Sequence, residues 1–419
     1  MSDDPRLTLV ARSAQDAIFA PTVRASGGKA PKIAIVHEWL TIYAGSEKVI
    51  QAMLEEFPDA ELFCLVDFLG PVDRAKLKGR RPRTTFLQKI PFAKHLYPYL
   101  LFLMPFAVEQ HDLSGYDVVV SSSHAVAKGV ITGPDQLHIC YCYSPMRYAW
   151  DLQGQYLKEA GMDRGIRSVF ARLVLHYMRM WDLRTAPSVD HFVACSKYIG
   201  RRIRRVYRRD ASVIYPNVAV EDFAPGGSRG DFYLTSSRLT PYKRVLLIVE
   251  AFAKMPERKL VVIGAGPQLA SIRQAATPNV TVMGYQEHPV LLAHMQTAKA
   301  FIFAAEEDFG IAPLEAQACG TPVLAFNRGG ASETVVDGVT GLHFHEQTTD
   351  AICDAVDRFE NMDEPFEPLE IRAHAQRFST TRFRREFRDL VERSWAERQA
   401  ALATVPQAQF QPRPVDTQI

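Results

Sequence analysis

The sequence has no unbroken apolar stretch of the ~18–20 residues that a membrane-spanning helix requires. The nearest is Tyr97–Val108 (YPYLLFLMPFAV), which two prolines interrupt. Its composition fits a buried helix or loop, or an apolar ridge that touches a membrane or a lipid acceptor. Cysteine is sparse: six in 419 residues, at Cys64, Cys140, Cys142, Cys195, Cys319 and Cys353. They form no C-x-x-C pair and have no zinc spacing, which argues against a metal ribbon and a disulfide framework and favours reduced, buried thiols in a cytosolic compartment. Net charge is nearly absent at +2, so nothing steers the whole chain toward nucleic acid, and no nucleic-acid module is recognisable. No D-x-D lies at the end of a strand-like run, and no His/Cys cluster has ligand spacing; the expectation is no metal and no cofactor. Residues 1–30 begin with acids and lack the apolar segment of a signal peptide, so they read as a disordered lead. Residues 401–419, rich in Gln and Pro, read as a disordered tail.

What is present is a chain long enough for two cores. With 47% hydrophobic and 23% charged residues, it has the composition of a globular protein. Short β-branched runs at Lys32–His37, Glu61–Val66, Asp117–Ser121, Leu137–Cys142 and His191–Ala194 alternate with helix-like segments. The alternation restarts after Val213-Ile-Tyr-Pro-Asn217, with strands expected at Asp231–Thr235, Lys259–Ile263, Val280–Met283, Ala300–Ala305, Pro322–Phe326 and Gly341–Phe344. Alternating strands and helices predict an α/β fold of two doubly wound parallel sheets. The expected division is an N-terminal domain over 32–212, a C-terminal domain over 213–383, and a helix over 384–400 that crosses back to the first domain.

Charge is uneven locally. Arg164–Arg209 holds twelve Arg or Lys and only two acids, Asp182 and Asp190. Interleaved Phe170, Leu173, Tyr177 and Trp181 fit either the charged face of a core-packed helix or a surface that docks on anionic lipid.

The chemistry concentrates in Glu307-Asp-Phe-Gly-Ile-Ala-Pro-Leu-Glu315, between a strand-like and a helix-like run. Two carboxylates flanking a helix N-terminus suit a ligand with both phosphate and hydroxyl groups. Free N–H groups and the dipole favour the anion, and carboxylates accept from sugar or ribose hydroxyls. Arg238 and Lys243, at a strand end and a helix start, supply two cations that could offset a diphosphate. Gly264-Ala-Gly-Pro267 forms a glycine turn after a strand. As a dinucleotide motif it fails, because the third glycine position of G-x-G-x-x-G is Leu269.

These residues resemble the GT-B glycosyltransferases of family 4. The matching pieces are the E-x7-E segment with Ala318-Cys-Gly-Thr-Pro-Val323 and Gly329-Gly-Ala-Ser-Glu333, the Ser237–Arg244 stretch, and the Gly264 turn. In the N-terminal half, His37-Glu-Trp-Leu40, Gly45-Ser-Glu-Lys48, Ser121–Lys128 and Tyr143–Asp151 are similar to a mannosyltransferase-type subgroup of polysaccharide assembly enzymes. Ala44 stands where such proteins often carry a first glycine.

The resemblance implies two Rossmann-like domains facing across a cleft. Donor binding then falls to Gly45, Arg238, Lys243, Gly264, Phe309, Gly310, Ile311 and Glu315, with Glu307 on the donor-sugar hydroxyls and His124 beside the reacting sugar as the catalytic pair. Lys128, Arg147 and Asp151 are candidates for the acceptor side, Lys128 equally for a solvated cation.

It further implies a metal-independent, retaining hexosyltransferase. The expected reaction carries mannose from GDP-mannose to a lipid-linked or oligosaccharide acceptor in exopolysaccharide or lipopolysaccharide assembly. A UDP-sugar donor and a non-catalytic nucleotide-sugar-binding scaffold stay open. The expected location is cytoplasmic, peripheral on an anionic inner membrane face.

Overall fold

The computed structural model describes residues 30–404; the expected lead, apart from Ala30, and the tail from residue 405 lie outside them. Among the described residues, thirteen strands form two sheets whose neighbours are all parallel. The first contains β1 (Ile33–Leu40), β2 (Glu61–Asp67), β3 (Arg83–Thr84), β4 (Val118–Ser123), β5 (Leu137–Cys142), β6 (His191–Ala194) and β7 (Ala211–Val213). Their order is β3-β2-β1-β4-β5-β6-β7. The second contains β8 (Tyr233–Ser236), β9 (Leu260–Ile263), β10 (Val280–Gly284), β11 (Phe301–Phe303), β12 (Val323–Phe326) and β13 (Gly341–Phe344), ordered β10-β9-β8-β11-β12-β13.

Both sheets are covered on both faces, so their central strands are buried along nearly their whole length rather than on alternate residues. Ile33, Ala34, Ile35 and Val36 are all buried, with odd and even positions in different core clusters. The second sheet divides its core the same way. Edge strands β3 and β7 escaped the sequence reading because they are two or three residues long and part-exposed, so they carry no apolar run.

Five helices bear on function: α1 (Gly45–Glu56), α2 (Gly165–Thr185), α3 (Lys197–Tyr207), α4 (Ile311–Ala318) and α5 (Thr380–Thr404). α5 turns Phe383, Phe387, Leu390 and Val391 into the core of the first sheet. Arg384 Nε and Arg388 Nη1 hold Glu56 of α1 at 2.9 and 3.0 Å. The helix starts before residue 384 and continues through Thr404, where the sequence reading placed the tail from 401; Ala401, Leu402 and Ala403 are strong helix formers and extend it.

Candidate active site

In a doubly wound parallel sheet, ligands bind beyond the strand C-termini where the strand order reverses. In the first sheet that point lies between β1 and β4, and in the second between β8 and β11. His37, Glu38 and Trp39 end β1, and His124 follows β4; Arg238 follows β8, and Glu307 follows β11. Residues far apart in sequence are thus gathered by topology at two switch points.

In the C-terminal domain, Lys243 and Glu307 form an ion pair, their side chains 17% and 16% exposed. Arg238 is exposed, and its Nη2 donates to Tyr242 Oη at 3.0 Å. The Tyr242 ring lies 5.5 Å from Lys243 Nζ and 5.9 Å from Arg147 Cζ. Two close backbone approaches hold these loops. A Cβ on Gly264 would overlap the Ser237 carbonyl beside Arg238, and one on Gly330 would overlap the Phe309 backbone. Gly264 therefore sits behind the Arg238 loop. Gly310 has φ +85° and opens α4.

The Phe309 side chain is buried and stacks on Tyr215 with centroids 5.9 Å apart, so only its backbone is offered to a ligand. Glu315 lies in the second turn of α4. It is paired with Lys48 Nζ of α1 at 3.1 Å. Gly45 begins α1, and a Cβ there would sit 3.0 Å from Ile311 Cδ1.

In the N-terminal domain, the His124 ring meets Trp39 edge-on at 4.9 Å and lies 6.3 Å from both His37 and Tyr143. Burial lowers the His124 pKa, with the Glu38 charge acting against it, which favours the neutral ring. Glu38 is fully buried. It accepts backbone N–H groups from His124, Ala125, Val126 and Ala127 at 2.8–3.1 Å and the Ser123 hydroxyl at 3.0 Å. One carboxylate thereby shapes the loop that carries His124.

Glu47 lies 3.4 Å from His37 Nε2 and accepts from the Ala44 N–H at 3.0 Å. Burial pushes the Glu47 carboxyl up, but the His37 contact and the backbone donors more than offset it and leave it below the ordinary value.

Arg147 joins the two halves. Its Nη1 is 3.2 Å from Asp308 Oδ2. Burial opposes its charge, yet Asp308 first, then Tyr156, Tyr242 and Glu307, raise its pKa overall. Arg202 of α3 also reaches Asp308, at 3.4 Å, and pairs with Asp151 at 2.7 Å. The Glu333 carboxylate receives the N–H groups of Lys197 and Tyr198 at 2.8 and 2.7 Å, an anion seated on the N-terminus of α3. Glu38, Lys48, Arg202, Asp308 and Glu333 were not singled out from sequence. Four of them lie inside or beside the family-like motifs, but nothing in the spacing shows which buried donors they would meet.

Lys128 requires a correction. It is not a solvated cation, and its ammonium is not free to reach an acceptor. It is fully buried and holds Asp182 Oδ1 at 2.8 Å, and it donates to the Asp182 carbonyl and Thr185 Oγ1, each at 2.7 Å. Asp182 also accepts from Trp150 Nε1 at 2.7 Å and Tyr207 Oη at 3.0 Å. An ammonium that cannot reach water needs such a partner, and the sequence does not disclose that the two face each other.

Chemically, Arg238, Lys243 and the N-terminus of α4 can offset an anion. The Glu307 and Glu315 carboxylates can accept hydroxyls, and the neutral His124 can donate or accept.

The fold is shared with known proteins. Sucrose-phosphate synthase from Thermosynechococcus elongatus superposes with a TM-score of 0.65 at 16% identity, covering 88% of this chain and 100% of that one. Anabaena HepE in complex with UDP gives 0.60 at 14% identity, covering 86% and 100%. The molecule has the GT-B fold of two facing Rossmann-like domains. Residues 223–376 match the family model of "Glycosyl transferases group 1".

Among curated relatives, the D-inositol 3-phosphate glycosyltransferase of Mycobacterium leprae is 32% identical over 202 residues, 42% of this chain and 47% of that protein. The GDP-mannose-dependent alpha-(1-6)-phosphatidylinositol monomannoside mannosyltransferase of Mycobacterium tuberculosis is 36% identical over 204 residues, 41% and 53% of the two chains. The chain spans about half the length of these curated relatives.

Proposed function

We propose that this protein is a retaining glycosyltransferase that moves a hexose, with mannose from GDP-mannose as the favoured donor, onto a lipid-linked or oligosaccharide acceptor in surface polysaccharide assembly. The observation that carries the reading is the Lys243–Glu307 ion pair at the β8/β11 switch point, with Arg238 exposed beside it. A nucleotide sugar brings a diphosphate for the two cations and hydroxyls for the carboxylate. In this reading the departing diphosphate takes the place of Glu307 as the partner of Lys243, leaving Glu307 to hold the donor sugar. Glu315 holds the ribose, and the backbone N–H groups at Gly310 and Ile311 face the phosphate.

His124 stands beside the anomeric region as a hydrogen-bonding group. No side chain need act as nucleophile: the acceptor hydroxyl attacks on the leaving-group side and its proton passes to the diphosphate. The protein contributes position and electrostatic stabilisation of the leaving group. Arg238 and Lys243 supply the positive charge that a divalent ion would otherwise bring.

The GDP-mannose dependence of the M. tuberculosis relative supports the GDP-mannose donor. The HepE structure with UDP and glucose keeps a UDP-sugar as the second reading. The test is thermal stabilisation of the full chain by GDP-, UDP-, ADP- and dTDP-sugars without added metal, repeated with Glu307→Ala and Lys243→Ala. A shift specific to GDP-mannose that both substitutions reduce supports the proposal. A shift with another nucleotide replaces the donor, and no shift at millimolar ligand removes the reading.

A further inference from the structure

The chain crosses between its two domains twice. It does so through residues 214–217, after β7, and again at the start of α5, which leaves the C-terminal domain to pack on the first sheet. Both crossings border one cavity of about 680 Å³, whose lining includes Tyr215, Arg377, Ser379, Arg382, Arg385 and Glu386. That volume falls within the range of small-molecule sites. The cavity shares no lining residue with the group formed by Arg238, Lys243, Glu307 and Glu315.

The charges of the cavity select an anion. Three guanidinium groups stand against the single carboxylate of Glu386, an excess of two positive charges. Glu386 is already committed to Arg382 Nη1 at 2.9 Å. Arg382 is fixed: Nη1 also donates to the Tyr215 carbonyl at 2.9 Å and Nη2 to the Pro216 carbonyl at 3.3 Å. Its side chain is 11% exposed, and its buried Nε has no acceptor among the described residues. Arg377 and Arg385 are exposed, and neither side chain has a hydrogen bond or ion pair among the described residues. Ser379 and Thr381 bring the first turn of the 25-residue helix α5 to the cavity, with its free N–H groups and the positive end of its dipole. Cations at that end of a helix are unfavourable by themselves, so Arg382 and Arg385 there call for an offsetting anion.

We propose that this cavity is an effector site for a phosphate monoester of sugar size. A dianionic phosphate balances the two excess charges, and guanidinium groups bind phosphate oxygens through paired N–H donors. The phosphate alone would fill a small part of about 680 Å³. Gln376, Ser379 and Thr381 offer hydrogen-bonding partners for the hydroxyls of an attached sugar. An occupant touches the interdomain linker and α5 together, the two places where a hinge between these domains must bend. Tyr215 carries the contact onward. Its ring stacks on Phe309 with centroids 5.9 Å apart, and its Oη donates to Glu333 at 3.1 Å, the carboxylate seated on the N–H groups of Lys197 and Tyr198. The inference stands apart from the donor assignment and does not need it.

The experiment is calorimetric titration of the full chain with glucose 6-phosphate, inorganic phosphate and glucose. The ester should bind at one site, inorganic phosphate about tenfold more weakly or worse, and glucose not at all. Arg377→Ala with Arg385→Ala should weaken ester binding about tenfold or more, the scale of losing hydrogen bonds to a charged group, without shifting the melting temperature. Lys243→Ala should leave it unchanged. Amide hydrogen exchange at Lys197 and Tyr198 should slow about threefold or more when the ester is bound. Failure of the ester to bind overturns the inference, as does equal affinity for inorganic phosphate or for glucose. Binding lost in Lys243→Ala but kept in the double arginine variant would place the phosphate among the donor-site cations and overturn it too. Unchanged exchange at Lys197 and Tyr198 would remove the effector role.

Discussion

Lys48 Nζ of α1 lies 3.1 Å from Glu315 Oε1 of α4, so a cation of one domain neutralises a carboxylate of the other. With Lys48 32% and Glu315 12% exposed, the pair is only partly screened. A double-mutant cycle of Lys48→Ala and Glu315→Gln on urea unfolding should give a coupling of about 0.5–1 kcal/mol. Additive effects within error would show that the contact ties nothing together.

The Lys243–Glu307 pair carries the proposed donor site. Glu307→Ala should keep the fold and lower kcat/KM with the preferred nucleotide sugar by about 10²–10³-fold, the scale of losing one stabilising group at the reacting centre. Steady-state kinetics with a melting control checks this, and unaltered kcat/KM would take Glu307 out of the chemistry.

Glu38 is the brace of the His124 loop. Glu38→Gln exchanges one acceptor oxygen for a donor that faces backbone N–H groups. Destabilisation of about 3 kcal/mol is expected, read as a shifted urea midpoint with unchanged slope. A loss under about 0.5 kcal/mol, the range of ordinary surface changes, would mean that the loop holds its shape without it.

Lys128→Met should cost about 3–5 kcal/mol, because it strands Asp182 as a buried charge. Adding Asp182→Asn should recover part of that loss. Lys128→Met at wild-type stability but with a raised KM would return Lys128 to the acceptor side.

His111 and His138 contribute to the acid limb of stability. Burial pushes both down to about 4, while the unfolded chain titrates near 6.5. Between those values the unfolded state binds more protons, so stability falls as pH drops from about 6.5 toward 4. Melting temperatures across this range should decline. His111→Phe should flatten the decline, since His111 Nε2 has no partner among the described residues and the ring packs on Phe63 at 5.3 Å. An unaltered slope would exclude His111 as a contributor.

Much of the architecture was legible because short, largely apolar runs such as Leu137–Cys142 and Gly341–Phe344 read as strands buried on both faces, and they coincide with β5 and β13. The motif around Glu307–Glu315 was legible for a local reason: its glycine and its two acids lie within one turn-and-helix unit. Asp308 was not, although it lies next to Glu307. Its importance comes from Arg147 and Arg202, which reach it from the other domain.

The sequence by itself determined the alternation of strands and helices, the two cores and the residue types available for an anionic, hydroxyl-bearing ligand, since these depend on composition and short-range order. Only the tertiary structure decided which of those residues meet. It drew Lys128 inward to Asp182 and aimed Glu38 at four backbone N–H groups. It set Lys48 on Glu315 and left one apolar face of α2 outward. Parallel-sheet crossovers bring distant loops to one edge, and a charge that loses water must find a partner wherever the fold supplies one.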